Sequence, residues 1–152
     1  MKRWLNAVRN ITLMCLLALP AWADRGEQKQ VFGNYEVHYI GLTTSFLTPE
    51  VARAYGIERS GRMGMLNISV LNSAEKSDVP QPVEAKVNGT LKNLIGQSKS
   101  LEFKEIKETN AVYYVATFRF DEEEVYRINL QVQPDGVSRS FDVKFSQRFY
   151  EE

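Results

Sequence analysis

The side chains able to do chemistry in this chain are few and scattered. His38 is the single histidine and Cys15 the single cysteine of its 152 residues. A transition-metal centre would therefore depend on carboxylates, and no ligand spacing in the sequence supplies them. Asp121-Glu122-Glu123-Glu124 is a run of four carboxylates. A calcium loop gathers oxygens around one point, with alternating spacing and a glycine bend. Four adjacent carboxylates diverge instead, so this run reads as a solvated turn between two strands. No Gly-x-Ser-x-Gly, Ser-x-x-Lys or glycine-rich phosphate loop occurs. A Ser-His-Asp arrangement would have to use His38, which sits out of phase with Tyr35, Val37 and Tyr39 on an expected strand. These features predict no metal, no cofactor and no enzymatic activity, with a small hydrolase using His38 and nearby carboxylates as the alternative.

The basic side chains offer one concentration, Arg53, Arg59 and Arg62, with Tyr55 among them. Arginines near a helix end complement its dipole or pair with local Glu50 and Glu58. Their planar forks also suit a surface that reads carboxylate or phosphate. Arg53, Tyr55, Arg59 and Arg62 are accordingly the candidate binding surface. Nucleic acid is excluded as a partner, because the exported chain is mildly acidic. Asn67 and Asn88 begin Asn-x-Ser/Thr triplets, which matter only in a glycosylating host.

These residues need elements to position them, and the central one is a short helix. Thr48 is a suitable N-cap, Pro49 fits the first helical position, and Gly56 can take the left-handed conformation that stops a helix. The segment from Thr48 to Gly56 is expected to form about two turns. Everything around it alternates as strand does. The expected strands are 31–42, 65–71, 83–91, 101–108, 112–120, 126–132 and a last one from Phe141 toward Tyr150. A phase slip at Ile106 suggests a bulge. Thr109-Asn110 and Pro134-Asp135-Gly136 read as turns, and the segments on either side of the acidic run read as a hairpin. Residues 24–30 read as a loose polar leader, and 72–82, with two prolines, as a loop. About seven strands with short turns and no βαβ rhythm predict an antiparallel, immunoglobulin-like β-sandwich with one short helix inserted after the first strand. A barrel is the alternative.

The N-terminal end predicts export. Lys2, Arg3 and Arg9 precede an apolar run, Ile11 to Leu19, and Ala21-Trp22-Ala23 fits a signal peptidase site with cleavage after Ala23. The run is shorter than the roughly 20 residues a membrane helix needs. Cleavage removes Cys15 and three of the 19 basic residues, leaving 16 against 19 acidic ones, a net charge of −3. The remaining 129 residues suit one domain able to hold a core without disulfides. No span remains after cleavage, so a soluble mature form is expected.

Several blocks resemble a functionally uncharacterised family of small exported domains, found mainly in Gram-negative proteobacteria. They are Tyr35-Glu36-Val37-His38-Tyr39, the stretch from Thr44 to Ile57, and Gly64-Met65-Leu66-Asn67-Ile68-Ser69-Val70. Asn93 to Gln97, Phe103 to Ile106, Ala111 to Tyr114 and the closing Phe145 to Tyr150 are similar too. The resemblance covers nearly all of the mature chain. It implies a periplasmic location and carries no activity or site residues with it. The expected function is a non-catalytic interaction module for a periplasmic protein, peptide or envelope component. A small-ligand carrier with an apolar pocket beside the helix is a further alternative.

Overall fold

The computed structural model describes residues 28–74 and 77–152. The expected signal sequence lies outside them. In chain order the elements are β1 (Gln28–Phe32), β2 (Tyr35–Thr43), a 3-10 turn (Thr44–Phe46), α1 (Pro49–Tyr55), β3 (Met63–Asn72), β4 (Gln81–Pro82), β5 (Ala85–Asn93), β6 (Ser98–Leu101), β7 (Lys104–Glu108), β8 (Ala111–Arg119), β9 (Val125–Pro134) and β10 (Phe141–Arg148). They build an all-β sandwich of two antiparallel sheets. The first runs β1-β2-β3-β8-β7, with β4 beside β3, and the second runs β10-β9-β5-β6.

Local signals place the helix as expected. The Thr48 hydroxyl accepts the Val51 N–H at 3.3 Å, Pro49 opens the helix, and Gly56 takes φ +66°. Gly56 N–H then reaches Arg53 O at 3.3 Å and Ile57 N–H reaches Ala52 O at 2.8 Å, the paired bonds of a Schellman stop.

Three strand expectations are corrected, each where pairing across the chain overrides local alternation. The expected first strand is a hairpin: Phe32 pairs with Tyr35 around Gly33-Asn34, and Gln28–Gln30 belong to β1 rather than to a leader. The phase slip near Ile106 is no bulge. It marks the place where the chain leaves the second sheet at β6 and enters the first at β7. The segments flanking the acidic run are no hairpin either, because β8 pairs with β3 and β7 while β9 pairs with β5 and β10. The acidic run therefore carries the chain from one sheet to the other. With these splits, and the short β4, the described residues hold ten strands instead of about seven.

Between the sheets lies one apolar core. Val37, Leu66, Ile68 and Val70 face Leu91, Leu130, Val132 and Val143, all at or near zero exposure. At one end Phe149 packs against Phe118, Phe120 and Tyr126, with ring centroids 5.1 to 6.2 Å away. Tyr114 is the core's polar anchor. Its oxygen accepts the Ala85 N–H at 2.7 Å while its hydroxyl donates to Glu105 at 3.0 Å. Burial pushes its phenol up to about 12.

Candidate functional site

The four residues singled out from the sequence sit on the insertion between β2 and β3. The neck of that insertion is tied by Thr44 and Ser60: the Thr44 hydroxyl accepts the Ser60 N–H at 2.9 Å and donates to Ser60 O at 3.2 Å. The end of the helix is tied to β7 through Tyr55. Lys104 Nζ donates to Tyr55 O at 3.0 Å, and the Tyr55 hydroxyl donates to Glu108. That bond to the Glu108 carboxylate raises the Tyr55 phenol above its ordinary value. Met65 and Val115, on the outer face of the first sheet, are buried yet stand apart from the central core. Ala52, the helix's buried residue, likewise lies outside that core.

The structure does not bring the four side chains together. Arg59 Nη2 donates to Ser45 O at 3.0 Å, back at the start of the insertion. Arg62 Nε donates to Glu151 in the C-terminal tail, which raises the guanidinium and holds Glu151 below the usual carboxylate range. Tyr55 is committed to β7. Arg53 is exposed in the last turn, where its charge complements the helix carbonyls. Neither Glu50 nor Glu58 supplies the ion-pair partners expected from the sequence.

His38 has a carboxylate partner: its Nε2 lies 2.8 Å from Glu36 Oε2, two residues along the same face of β2. This hydrogen bond, with Lys29 beside it, holds Glu36 below its ordinary range against partial desolvation. Ser69 is the residue opposite His38 on β3. The group lies on the outer face of the first sheet and forms no part of the cleft described next. The acidic run is taken up in structure. The Tyr126 hydroxyl accepts the Asp121 N–H and donates to Glu124, both at 3.0 Å, and Glu122 accepts the Glu151 N–H at 3.2 Å. Among the described residues, no group of three or more His, Cys, Asp or Glu side chains could hold a metal ion.

Sequence reasoning offered an apolar pocket beside the helix but did not place a cleft at the edges of the sheets. It opens where the free edges of the two sheets face each other, β1 and β2 on one side and β10 on the other. Higher up, this edge is closed by stacked rings, Phe32 on Phe141 at 4.7 Å and Tyr39 on Phe145 at 4.2 Å. Among the described residues, pairing with β1 reaches as far as Tyr39, opposite Gln28, while β2 continues to Thr43. Over Ile40–Thr43 no described strand pairs with β2 on this side, and the sheets part to leave a cleft of about 680 Å³. Phe46 and Tyr150 form its lips, 65% and 52% exposed, although aromatic rings are ordinarily buried. Thr43 and the Tyr150 carbonyl close its end through a 3.2 Å hydrogen bond. Inside, Gln147 Nε2 donates to Gly41 O at 2.8 Å. Gly41 O thus points away from β3. The two polar groups of a strand residue share one side, so the Gly41 N–H faces the cleft as well. Arg148 and Glu152 add one charge of each sign to the lining.

Fold and site together define an antiparallel β-sandwich with a cleft at its parted sheet edges and a helical insertion beside it. A crystal structure of a DUF4426 family protein from Pseudomonas aeruginosa PAO1 is similar in fold, at TM-score 0.73 and 32% identity, covering 85% of this chain and 98% of that one. The chain belongs to that family, a domain of unknown function, whose model matches residues 29–152. This is the membership that the sequence blocks imply. FetP from uropathogenic Escherichia coli strain F11, recombinantly expressed in the periplasm of E. coli, shares the fold at TM-score 0.60 and 12% identity, covering 82% of this chain and 94% of that one. A copper-bound variant of FetP gives TM-score 0.59 and 15% identity, over 82% and 95% of the two chains. At these identities the likeness to FetP is one of fold alone. No curated protein matches the chain.

Proposed function

We propose that this protein is a non-catalytic periplasmic binding module that takes an extended polypeptide segment in the cleft between β2 and β10. One observation supports the reading: a stretch of strand edge that no described strand pairs, Ile40–Thr43, lines a cleft with two exposed aromatic lips, Phe46 and Tyr150. Added strands gain affinity from main-chain hydrogen bonds and specificity from pockets for alternate side chains. The β2 edge supplies the first and the lips supply the second. The carboxylate–histidine pair stands outside this cleft, which favours binding over catalysis there. Two features support the periplasmic assignment: the signal-like leader and the shared fold of FetP, a protein expressed in that compartment. No helix among the described residues is long and apolar enough to cross a membrane.

The test is selection from a displayed library of random octapeptides on the mature chain, followed by titration of the selected peptides. Proline-poor peptides with apolar residues at alternate positions are expected to be enriched. Phe46→Ser and Tyr150→Ser should each weaken their binding by about tenfold or more, as loss of an aromatic anchor does. No enrichment over bare matrix, or equal binding by both variants, would overturn the proposal.

A further inference from the structure

We infer that Gln147 guards the β2 edge inside the cleft and that a ligand takes that edge by exchanging a backbone strand for its carboxamide. The inference rests on the polypeptide-binding reading above and adds how that site is regulated. It starts from a reciprocity across the sheet edges. Gln147, on β10, donates its Nε2 to Gly41 O of β2 at 2.8 Å. Gln30, on β1, donates its Nε2 to Lys144 O of β10 at 3.1 Å. Each free edge thus has one outward carbonyl covered by a glutamine from the opposite sheet.

A glutamine carboxamide is a planar N–H donor beside a carbonyl, the same pair of functions that a backbone amide presents. Gln147 therefore makes the hydrogen bond that the N–H of an added strand would make. The edge needs such a guard. Sheets discourage unwanted pairing with edge lysines, prolines or bulges, and Ile40-Gly41-Leu42 carries none of these. Gly41 belongs to the device: a methyl group there would collide with the Gln147 carboxamide, so only glycine lets that side chain lie against the strand. The guard is also easily released. A glutamine held in one rotamer recovers side-chain entropy when it swings free. Displacement exchanges one N–H···O bond for another, leaving the remaining main-chain bonds and the burial of Phe46 and Tyr150 as the net gain. The ligand class follows. The occupant must bring donors to the β2 edge at strand spacing, which a polypeptide free of proline at the position facing Gly41 does and an acyl chain, having no donor, does not.

The experiment measures, by fluorescence anisotropy, the binding of a fluorescein-labelled octapeptide of alternating valine and threonine to the mature wild-type chain, Gln147→Ala and Gln147→Glu. The second variant keeps the side chain's size and removes its donor. A matched peptide with N-methyl groups at alternate residues, tested in both registers, is the control for backbone pairing. Both variants are expected to bind the plain peptide about two- to tenfold more tightly than wild type, the size of one net hydrogen bond. The N-methylated peptide whose methyl groups fall on the edge facing β2 should bind at least tenfold more weakly than the plain one, while the other register, which keeps those N–H groups, should bind as the plain one does. Variants that bind the plain peptide no more tightly than wild type, or two N-methylated peptides that both bind as well as the plain one, would overturn the exchange while leaving the cleft as a binding site. No binding by any of the three proteins would overturn the polypeptide-binding reading itself.

Discussion

The helical insertion and the cleft lie on two sides of the same β2 terminus and use their polar groups in opposite ways. On the insertion, the conspicuous side chains turn inward on the protein: Tyr55 to Glu108, Arg59 to Ser45, Arg62 to Glu151. In the cleft, inconspicuous groups are left facing outward: the edge of Ile40–Thr43, a guarding glutamine and two exposed rings. Charged residues in sequence proximity announce chemistry that the fold has already used. A strand edge that no described neighbour pairs announces nothing in sequence, because its polar groups are ones every residue carries.

That contrast can be broken or sharpened by substitution. The largest effect is expected at Phe149, the buried ring from which the tail over the cleft is anchored. Phe149→Ala should cost about 3–5 kcal/mol of unfolding free energy, measured by denaturant titration. Peptide binding should fall with it as Tyr150 loses its position. Tyr114→Phe tests the framework that both regions share. It leaves the Ala85 N–H without its partner and should cost about 1–3 kcal/mol, with binding retained below the unfolding transition. The sign of its pH dependence follows from the raised phenol. Its stabilisation is full below the unfolded value near 10 and is lost as pH climbs toward about 12, so the variant should lack that alkaline decline. Thr48→Ala removes the cap of α1 and should cost about 1 kcal/mol while leaving peptide affinity unchanged. Smallest of all, Arg53→Ala and Arg59→Ala should each alter stability by less than about 0.5 kcal/mol and leave binding untouched. Loss of peptide binding in either arginine variant would reverse the assignment of the two regions.

What was legible in the sequence tracks the range of the interactions. The helix was legible from Thr48, Pro49 and Gly56, because caps act within one turn. Strand faces were legible from alternation, as in Leu66, Ile68 and Val70. Sheet membership was not: the slip at Ile106 and the acidic run both mark crossings between sheets, and alternation carries no record of which partner a strand takes. The cleft was least legible. Its defining bond joins Gly41 to Gln147, 106 positions apart, and uses a backbone carbonyl that every residue possesses.

In the proposed function the β2 edge, and not the arginine-bearing insertion, receives the ligand. Residue-resolved amide NMR of the mature chain, titrated with a library-selected octapeptide, tests it most directly. The prediction is a shifted and exchange-protected Gly41 amide, with shifts spreading through Leu42, Thr43, Phe46 and Tyr150 while Arg53, Tyr55 and Arg59 stay in place. Saturable shifts centred on Arg53, Tyr55 and Arg59, with Gly41 unmoved and unprotected, would contradict it.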